Sequence, residues 1–262
     1  MPDASSPSMP LWPDASLDDL LALAGSKYAL EFEPVSAGGV TLHILQIADM
    51  RERLDRAIAQ NALQDALNTL PLWAKIWPAS LILGHVLRHI PKEGRSFLEI
   101  GAGYGVTGLV AAALGFERVC ISDVNEDALL FARINILKNG LQERAHVRRV
   151  DVSSDTLDER FSVIAGSEIL YLDHLYRPLV KFFKRHLAAP APGGAMPEVL
   201  LATDHRRKAK PFFKRAEKEF TIEHKQIGAK ETQTADAPAD GAAGAAHAER
   251  HLLTLHRLTP LR

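Results

Sequence analysis

Phe97-Leu98-Glu99-Ile100-Gly101-Ala102-Gly103-Tyr104-Gly105 is the stretch whose reading decides the fold. An apolar run carrying one acid, Glu99, breaks into three glycines at alternate positions and continues at once into the helix-like segment Val106 to Leu114. Strand, tight turn and helix is the predicted order. Gly101, Gly103 and Gly105 permit positive φ and carry no Cβ, so a ligand can lie against the backbone where the free amides of a helix N-terminus point. The turn is a cradle of nucleotide size. A dinucleotide fingerprint would read GxGxxG, and here the third glycine falls one residue early.

Two acids sharpen this reading. Glu99 stands two residues before the first glycine, and a second apolar strand, Arg118 to Ser122, ends in Asp123. An acid about 20 residues past the first glycine is placed to accept both hydroxyls of a ribose. The order acid, GxGxG, strand, acid resembles the S-adenosylmethionine (SAM) site of the seven-stranded class I methyltransferases, with Gly101, Gly103 and Asp123 as the matching positions. The resemblance implies SAM as cofactor, lying across Gly101, Ala102, Gly103 and Gly105 beside Glu99, with its ribose on Asp123. It also implies a Rossmann-like α/β fold.

Upstream, Pro71 to Ser80 holds two of the three tryptophans, Trp73 and Trp77, immediately before a helix predicted from Ala79 to His89. Pro78 disfavours helical backbone at Trp77. Two aromatics closing a core would explain the pair. A tryptophan followed by Pro-Ala-Ser ahead of the first helix also resembles methyltransferase family 16, a group of protein lysine methyltransferases. That resemblance implies that Trp77 and Trp73 border the SAM pocket.

Downstream, a third strand is predicted over His146 to Val152. Asp151 falls at its carboxyl end, where open α/β sheets place ligands. Loop capping ahead of Ser153-Ser154-Asp155 is one role for it; the class I resemblance implies the other, a hydrogen bond to the adenine amine. The fourth strand, Phe161 to Gly166, leads into Ser167-Glu168-Ile169-Leu170-Tyr171-Leu172-Asp173. Methyl transfer from a sulfonium needs acceptors and π faces around a cationic centre rather than a covalent nucleophile. Glu168 and Tyr171, three residues apart, supply one of each. Glu-Ile-Leu-Tyr fits the family's (Asp/Glu)-x-x-(Tyr/Phe) motif, which implies that Glu168 and Tyr171 act at the acceptor, a lysine ε-amine of a protein partner. The Asn-Pro-Pro-Tyr type of sequence that floors a flipped base in nucleic-acid amino-methyltransferases is not found in the chain, so no nucleic-acid partner is expected.

Composition bounds the rest. The 262 residues are 47% hydrophobic and 24% charged, as in ordinary globular proteins, and the net charge of -1 exerts no global pull on nucleic acid or anionic membrane. The single cysteine, Cys120, sits in an apolar strand and cannot pair within the chain, which predicts a cytoplasmic protein. No apolar run approaches the ~20 residues of a membrane span. His174 and His205 lack partners at metal-ligand spacing, so no metal is expected.

The domain division that follows is an N-terminal extension, residues 1–69, and a methyltransferase domain, residues 70–262. The extension comprises a disordered start, a helix over Ala15 to Ala24, a hairpin of Tyr28–Pro34 with Val40–Ile47, and a charged helix from Asp49 to Leu67. In the domain, strands alternate with helices up to a fifth strand, Glu198 to Thr203. A basic run from Arg206 to Lys218 follows on a helix reaching Phe220. It reads as a solvated face, the alternative being a docking surface for an acidic protein. Strands Thr221–Ile227 and Leu252–Leu258 then pair antiparallel around a flexible insertion at 228–250. The predicted class is α/β: five parallel strands plus a C-terminal antiparallel hairpin in one seven-stranded sheet, with helices on both faces. Two other functions share the cofactor turn, a small-molecule methyltransferase and a non-catalytic SAM-fold binding module.

Overall fold

Alternation in the central strand sets the layers of the molecule. A computed structural model describes residues 12–50, 52, 56, 71–190, 193–229 and 251–261. The expected disordered start, most of the helix expected after Asp49 and nearly all of the 228–250 insertion lie outside the described residues. All five residues of β3 (Ser96–Ile100) are buried. Phe97 joins one apolar core while Leu98 and Ile100 join another on the opposite face, the period-2 consequence of strand geometry.

The other elements assemble around β3 in the order expected of a doubly wound sheet. α2 (Pro78–Leu87) precedes it, and α3 (Val106–Leu114) leads to β4 (Arg118–Asp123). α4 (Glu126–Lys138), opened by Asn125 accepting from Ala128 N at 3.0 Å, leads to β5 (Ala145–Arg149). The chain then crosses to β6 (Val163–Ser167), α5 (Tyr176–His186), β7 (Glu198–Asp204) and α6 (Lys210–Ala216). It closes with β8 (Phe220–Ala229) and β9 (His251–Pro260). The strand order is β5-β4-β3-β6-β7-β9-β8, with the five strands from β5 to β7 in that order parallel and β9 antiparallel to both β7 and β8. The expected seven-stranded sheet with its antiparallel closing hairpin is therefore the sheet that forms. α2, α3 and α4 cover the Phe97 face; α5 and α6 cover the Leu98 face.

Two boundaries differ from the sequence reading. β5 stops at Arg149; Val150 N–H makes the last ladder bond, to Asp123 O, and Asp151 O then accepts the amides of Ser154 and Asp155, so Asp151 opens the turn beyond the strand. α6 ends at Ala216 instead of reaching Phe220, where β8 begins.

The N-terminal piece is built into the first core. α1 (Leu17–Gly25) is capped by Ser16 and Asp19, whose side chains each accept the other's backbone N–H. Leu20 and Ala24 of α1 and Leu42, Ile44 and Leu45 of β2 join Leu109 and Phe131 in one cluster. β1 (Leu30–Ala37) and β2 (Val40–Ile47) pair only with each other, and side chains of α4 and Tyr104 occupy the other edge of β2. His43 N–H donates to Asn139 Oδ1 at 2.9 Å, Leu45 N–H to Asn135 Oδ1 at 2.7 Å, and Ile47 N–H to Tyr104 OH at 3.0 Å. Asn135 and Asn139, one helical turn apart, stand in for a third strand and satisfy amides that would otherwise be lost.

Candidate functional site

The carboxyl ends of β3 and β6 meet where the strand order reverses, the place at which open α/β sheets hold ligands. Gly101, Gly103 and Gly105 adopt φ of 60°, 54° and 81°, a left-handed region closed to most side chains. Ala102 N–H donates to Ser122 O at 3.0 Å and Gly105 N–H to Ala102 O at 2.9 Å, so the turn is folded tightly onto β4. Gly101 is exposed and Ala102 half-buried, whereas Gly103 and Gly105 are buried. The accessible part of the cradle is therefore its first two residues. A Cβ on Gly103 would stand 2.7 Å from Trp73 O, so that glycine admits the neighbouring chain.

Asp123 sits directly beside the turn. Its Oδ2 accepts Gly103 N–H at 2.9 Å and its Oδ1 accepts Asn125 N–H at 3.0 Å. Burial raises its pKa against the lowering effect of these amides. Only 8% of the residue is exposed, yet each oxygen keeps lone-pair capacity for a further donor. That pair of acceptors fits two ligand hydroxyls. Val124, which follows, is 52% exposed and puts an apolar surface at the rim beside Asp123.

Glu99 lies beneath the turn. It is 1% exposed, and its Oε2 accepts Gly108 N–H from the first turn of α3 at 2.7 Å. Burial pushes its carboxyl up to about 7, opposed by the Gly108 amide. The amide and hydroxyl of the adjacent Thr107 also lie against the carboxyl and work against that rise. Glu99 thus bonds the helix that carries the cradle.

Glu168 closes the other side of the crevice with backbone in the left-handed region, φ 53°. Such a conformation is uncommon for a side chain of this size, and strain of this kind collects at functional sites. Glu168 N–H donates to Ala202 O at 2.9 Å, and Oε1 accepts Asp204 N–H at 2.7 Å. Burial pushes its carboxyl up to about 7, with the Asp204 amide and the cations Arg207 and Arg206 working against that rise. Tyr171 is 42% exposed, and its phenol is raised by burial and then by the Asp123 carboxylate. Asp123 and Tyr171 therefore share one electrostatic neighbourhood. Leu170 O, between Glu168 and Tyr171, accepts from Tyr176 OH at 3.1 Å and from Arg207 Nη1 at 3.3 Å.

Trp73, Trp77 and Asp151, the remaining residues expected at the site, are each engaged by neighbours. The Trp73 ring stands 5.4 to 6.2 Å from the rings of Tyr28, Tyr104 and Phe131, in a cluster that anchors the N-terminal piece. Trp77 ends the segment before α2, with Nε1 donating to Leu72 O at 3.1 Å and Lys75 Nζ 4.8 Å above its ring. Asp151 Oδ1 accepts both the N–H and the hydroxyl of Ser153, and these bonds lower its pKa.

Ile169 is the residue that sequence reasoning missed. A Cβ on Gly101 would meet it at 2.9 Å and one on Gly166 at 2.6 Å, so it bridges the ends of β3 and β6 and floors the crevice. Gly166, a lone glycine inside an apolar strand, was the available signal. Among the described residues no group of three or more His, Cys, Asp or Glu could hold a metal ion, and no helix is long and apolar enough to cross a membrane.

Comparison with known proteins places this geometry among relatives. A family model described as lysine methyltransferase matches residues 45–219. Protein N-lysine methyltransferase METTL21A of Xenopus tropicalis is 34% identical over 118 residues, covering 42% of this chain and 53% of that protein. Calmodulin-lysine N-methyltransferase of Arabidopsis thaliana is 29% identical over 124 residues, covering 43% of this chain and 40% of its own length. The chain spans about half the length of the curated relatives it matches. Among solved structures, the tRNA (uracil-54, C5)-methyltransferase of Pyrococcus abyssi, in complex with S-adenosyl-L-homocysteine, superposes with a TM-score of 0.51 at 17% identity. That match covers 87% of this chain and 44% of the other and speaks to the fold.

Proposed function

The chain belongs to the lysine methyltransferase family, and from that premise we propose that it is a SAM-dependent enzyme that methylates a lysine side chain of a protein. The observation that carries the reading is the convergence of an exposed glycine turn, a buried ribose-type acid and a strained acid at one sheet edge. SAM supplies a methyl group on a sulfonium sulfur. Asp123 would accept the two ribose hydroxyls, Gly101 and Ala102 would lie along the cofactor backbone, and Val124 and Ile169 would exclude water from its apolar surfaces.

Glu168 and Tyr171 then serve the acceptor. Glu168 spends Oε1 on the Asp204 amide and keeps Oε2 for the amine. With a pKa near 7, its carboxyl ionises readily when a cation approaches, because opposite charge favours the charged form. Tyr171 offers a ring face and a hydroxyl at the open rim. The lysine must lose its proton before its nitrogen can bond carbon, and a second cation beside a sulfonium is disfavoured, so the ammonium would give its proton to water at the open rim on entry; the new N–C bond would then form as the C–S bond breaks, the electron pair staying on sulfur. Rate then comes from alignment.

A protein acceptor is supported by the placement of the N-terminal piece. Its described helix and hairpin lie against α2, α3 and α4, on the opposite side of the sheet from α5 and α6, while Tyr171 stays exposed. The lone thiol of Cys120, buried and pushed up to about 12, needs no oxidising compartment, which supports a cytoplasmic setting. The test is a lysate incubated with the protein and SAM carrying a radioactive methyl group. Mass spectrometry of the labelled species should find methyl-lysine in protein, and Glu168→Ala should not produce it. Label confined to small molecules would overturn the reading.

A further inference from the structure

Beyond the crevice, α6 and the β8–β9 hairpin border an open groove of about 440 Å³. Arg207, Lys208, Lys210 and Lys214 line one wall, and the single acid among the lining residues is Glu217. The floor is neutral: His256 is 4% exposed, shares a 2.7 Å Nδ1 to Nδ1 hydrogen bond with His224, and bonds Thr203 Oγ1 through Nε2 at 3.0 Å. Lys210 and Lys214 stand one turn apart on α6; Lys214 complements the carboxyl end of the helix dipole, but Lys210, at its amino end, opposes the dipole and its helix neighbour alike. Phe213 is buried, and the imidazole of His224, exposed at the rim, is held by its bond to His256.

The groove adjoins the acceptor loop through Arg207. The same guanidinium that lines it donates to Leu170 O between Glu168 and Tyr171, and Asp204, whose amide holds Glu168, is three residues earlier in the chain. Arg207 N–H bonds back to Asp204 O at 3.0 Å, so a single tight turn separates the two. A polypeptide with its lysine at Glu168 would bring a side chain close by in sequence into reach of the four cations.

Resting on the lysine-transfer reading, we propose that this groove is a second substrate subsite that takes an acidic side chain of the methylated polypeptide, close in sequence to the acceptor lysine. Charge complementarity supplies recognition and speeds encounter.

The experiment uses the full chain and two peptides. A fluorescent Asp/Glu-rich octapeptide without lysine is titrated by anisotropy, and a lysine peptide with acidic flanks is assayed for methyl transfer. In the double variant Lys210→Glu/Lys214→Glu, both exposed positions, octapeptide affinity should fall about tenfold and its salt dependence should weaken. KM for the lysine peptide should rise about tenfold with kcat unchanged. Unaltered affinity and KM would overturn the subsite while leaving lysine transfer intact. Equal competition by a neutral peptide, by inorganic phosphate or by an oligonucleotide would also overturn it. Transfer to no lysine peptide, with Lys210- and Lys214-dependent binding retained, would instead sink the lysine reading.

Discussion

Glu168 Oε1 accepts the backbone N–H of Asp204 at 2.7 Å, tying the end of β6 to the end of β7 through a side chain. The bond holds a residue whose own φ, 53°, would otherwise relax, and Arg207 and Tyr176 clamp the next carbonyl but one, Leu170 O. Three groups, the Asp204 amide, the Arg207 guanidinium and the Tyr176 hydroxyl, thus fix the segment from Glu168 to Leu170, which pre-organises the residues proposed to receive the acceptor.

Glu168→Gln keeps an oxygen for Asp204 and removes the charge. Turnover should fall about 10²-fold or more, while affinity for S-adenosyl-L-homocysteine, measured by calorimetry, stays within about threefold. With the carboxyl at about 7, kcat/KM of the unaltered protein should rise as pH increases through that value, and the variant should lose this limb. Weakened cofactor binding with normal turnover would place Glu168 in the wrong role.

Asp123→Ala should act on the cofactor instead. Each charged hydrogen bond contributes roughly 1.5–3 kcal/mol, so losing two ribose hydroxyls should raise Kd by about 10²-fold or more. The amides of Gly103 and Asn125 lose their partner as well, and the variant should be less stable even without ligand. An unchanged Kd in calorimetric titration would remove Asp123 from the cofactor site.

These roles differ in how plainly the sequence announced them. Gly101 to Gly105, Asp123 and Glu168 were legible because backbone chemistry and position at strand ends constrain their residue types. Trp73 and Asp151 were less so: a tryptophan before a helix serves equally to close a core, as its contacts with Tyr28, Tyr104 and Phe131 show it doing, and an Asp before two serines makes a turn. Ile169 escaped notice since an isoleucine in an apolar strand-to-loop segment carries no signal of its own. The same holds for Asn135, a polar residue inside a helix whose partner strand lies about 90 positions away.

Asn135→Ala tests that strand. It would strand the buried Leu45 N–H and release Tyr104 O, and each unsatisfied buried group costs roughly 1–3 kcal/mol. Urea unfolding should show a loss of about 3 kcal/mol, with faster hydrogen exchange at Leu45. Asn139→Ala, whose bonds to His43 are exposed, should lose less than about 1 kcal/mol. Equal losses would mean that the side-chain ladder does not hold the hairpin.

Glu99 and His256 should pull stability in opposite directions with pH. The carboxyl of Glu99 rises from an ordinary 4.5 to about 7, so between these values the folded chain holds a proton that the unfolded chain has released, and stability falls as pH rises. Burial, then His224, lowers His256 from 6.5 to about 4, so in that window the unfolded chain binds the extra proton and stability falls as pH drops. Each shift is worth at most about 3 kcal/mol. Glu99→Gln should therefore be more stable than the unaltered protein at pH 8, the margin shrinking towards pH 4.5 in urea titrations; His256→Gln should flatten the acid side alone. Glu168 and Asp123 share the sign of Glu99, and His146 and His186 that of His256, so only the differences between variants isolate each group. A Glu99→Gln offset that stays constant from pH 4.5 to 8 would show that its carboxyl is not buried as a neutral acid beneath the glycine turn.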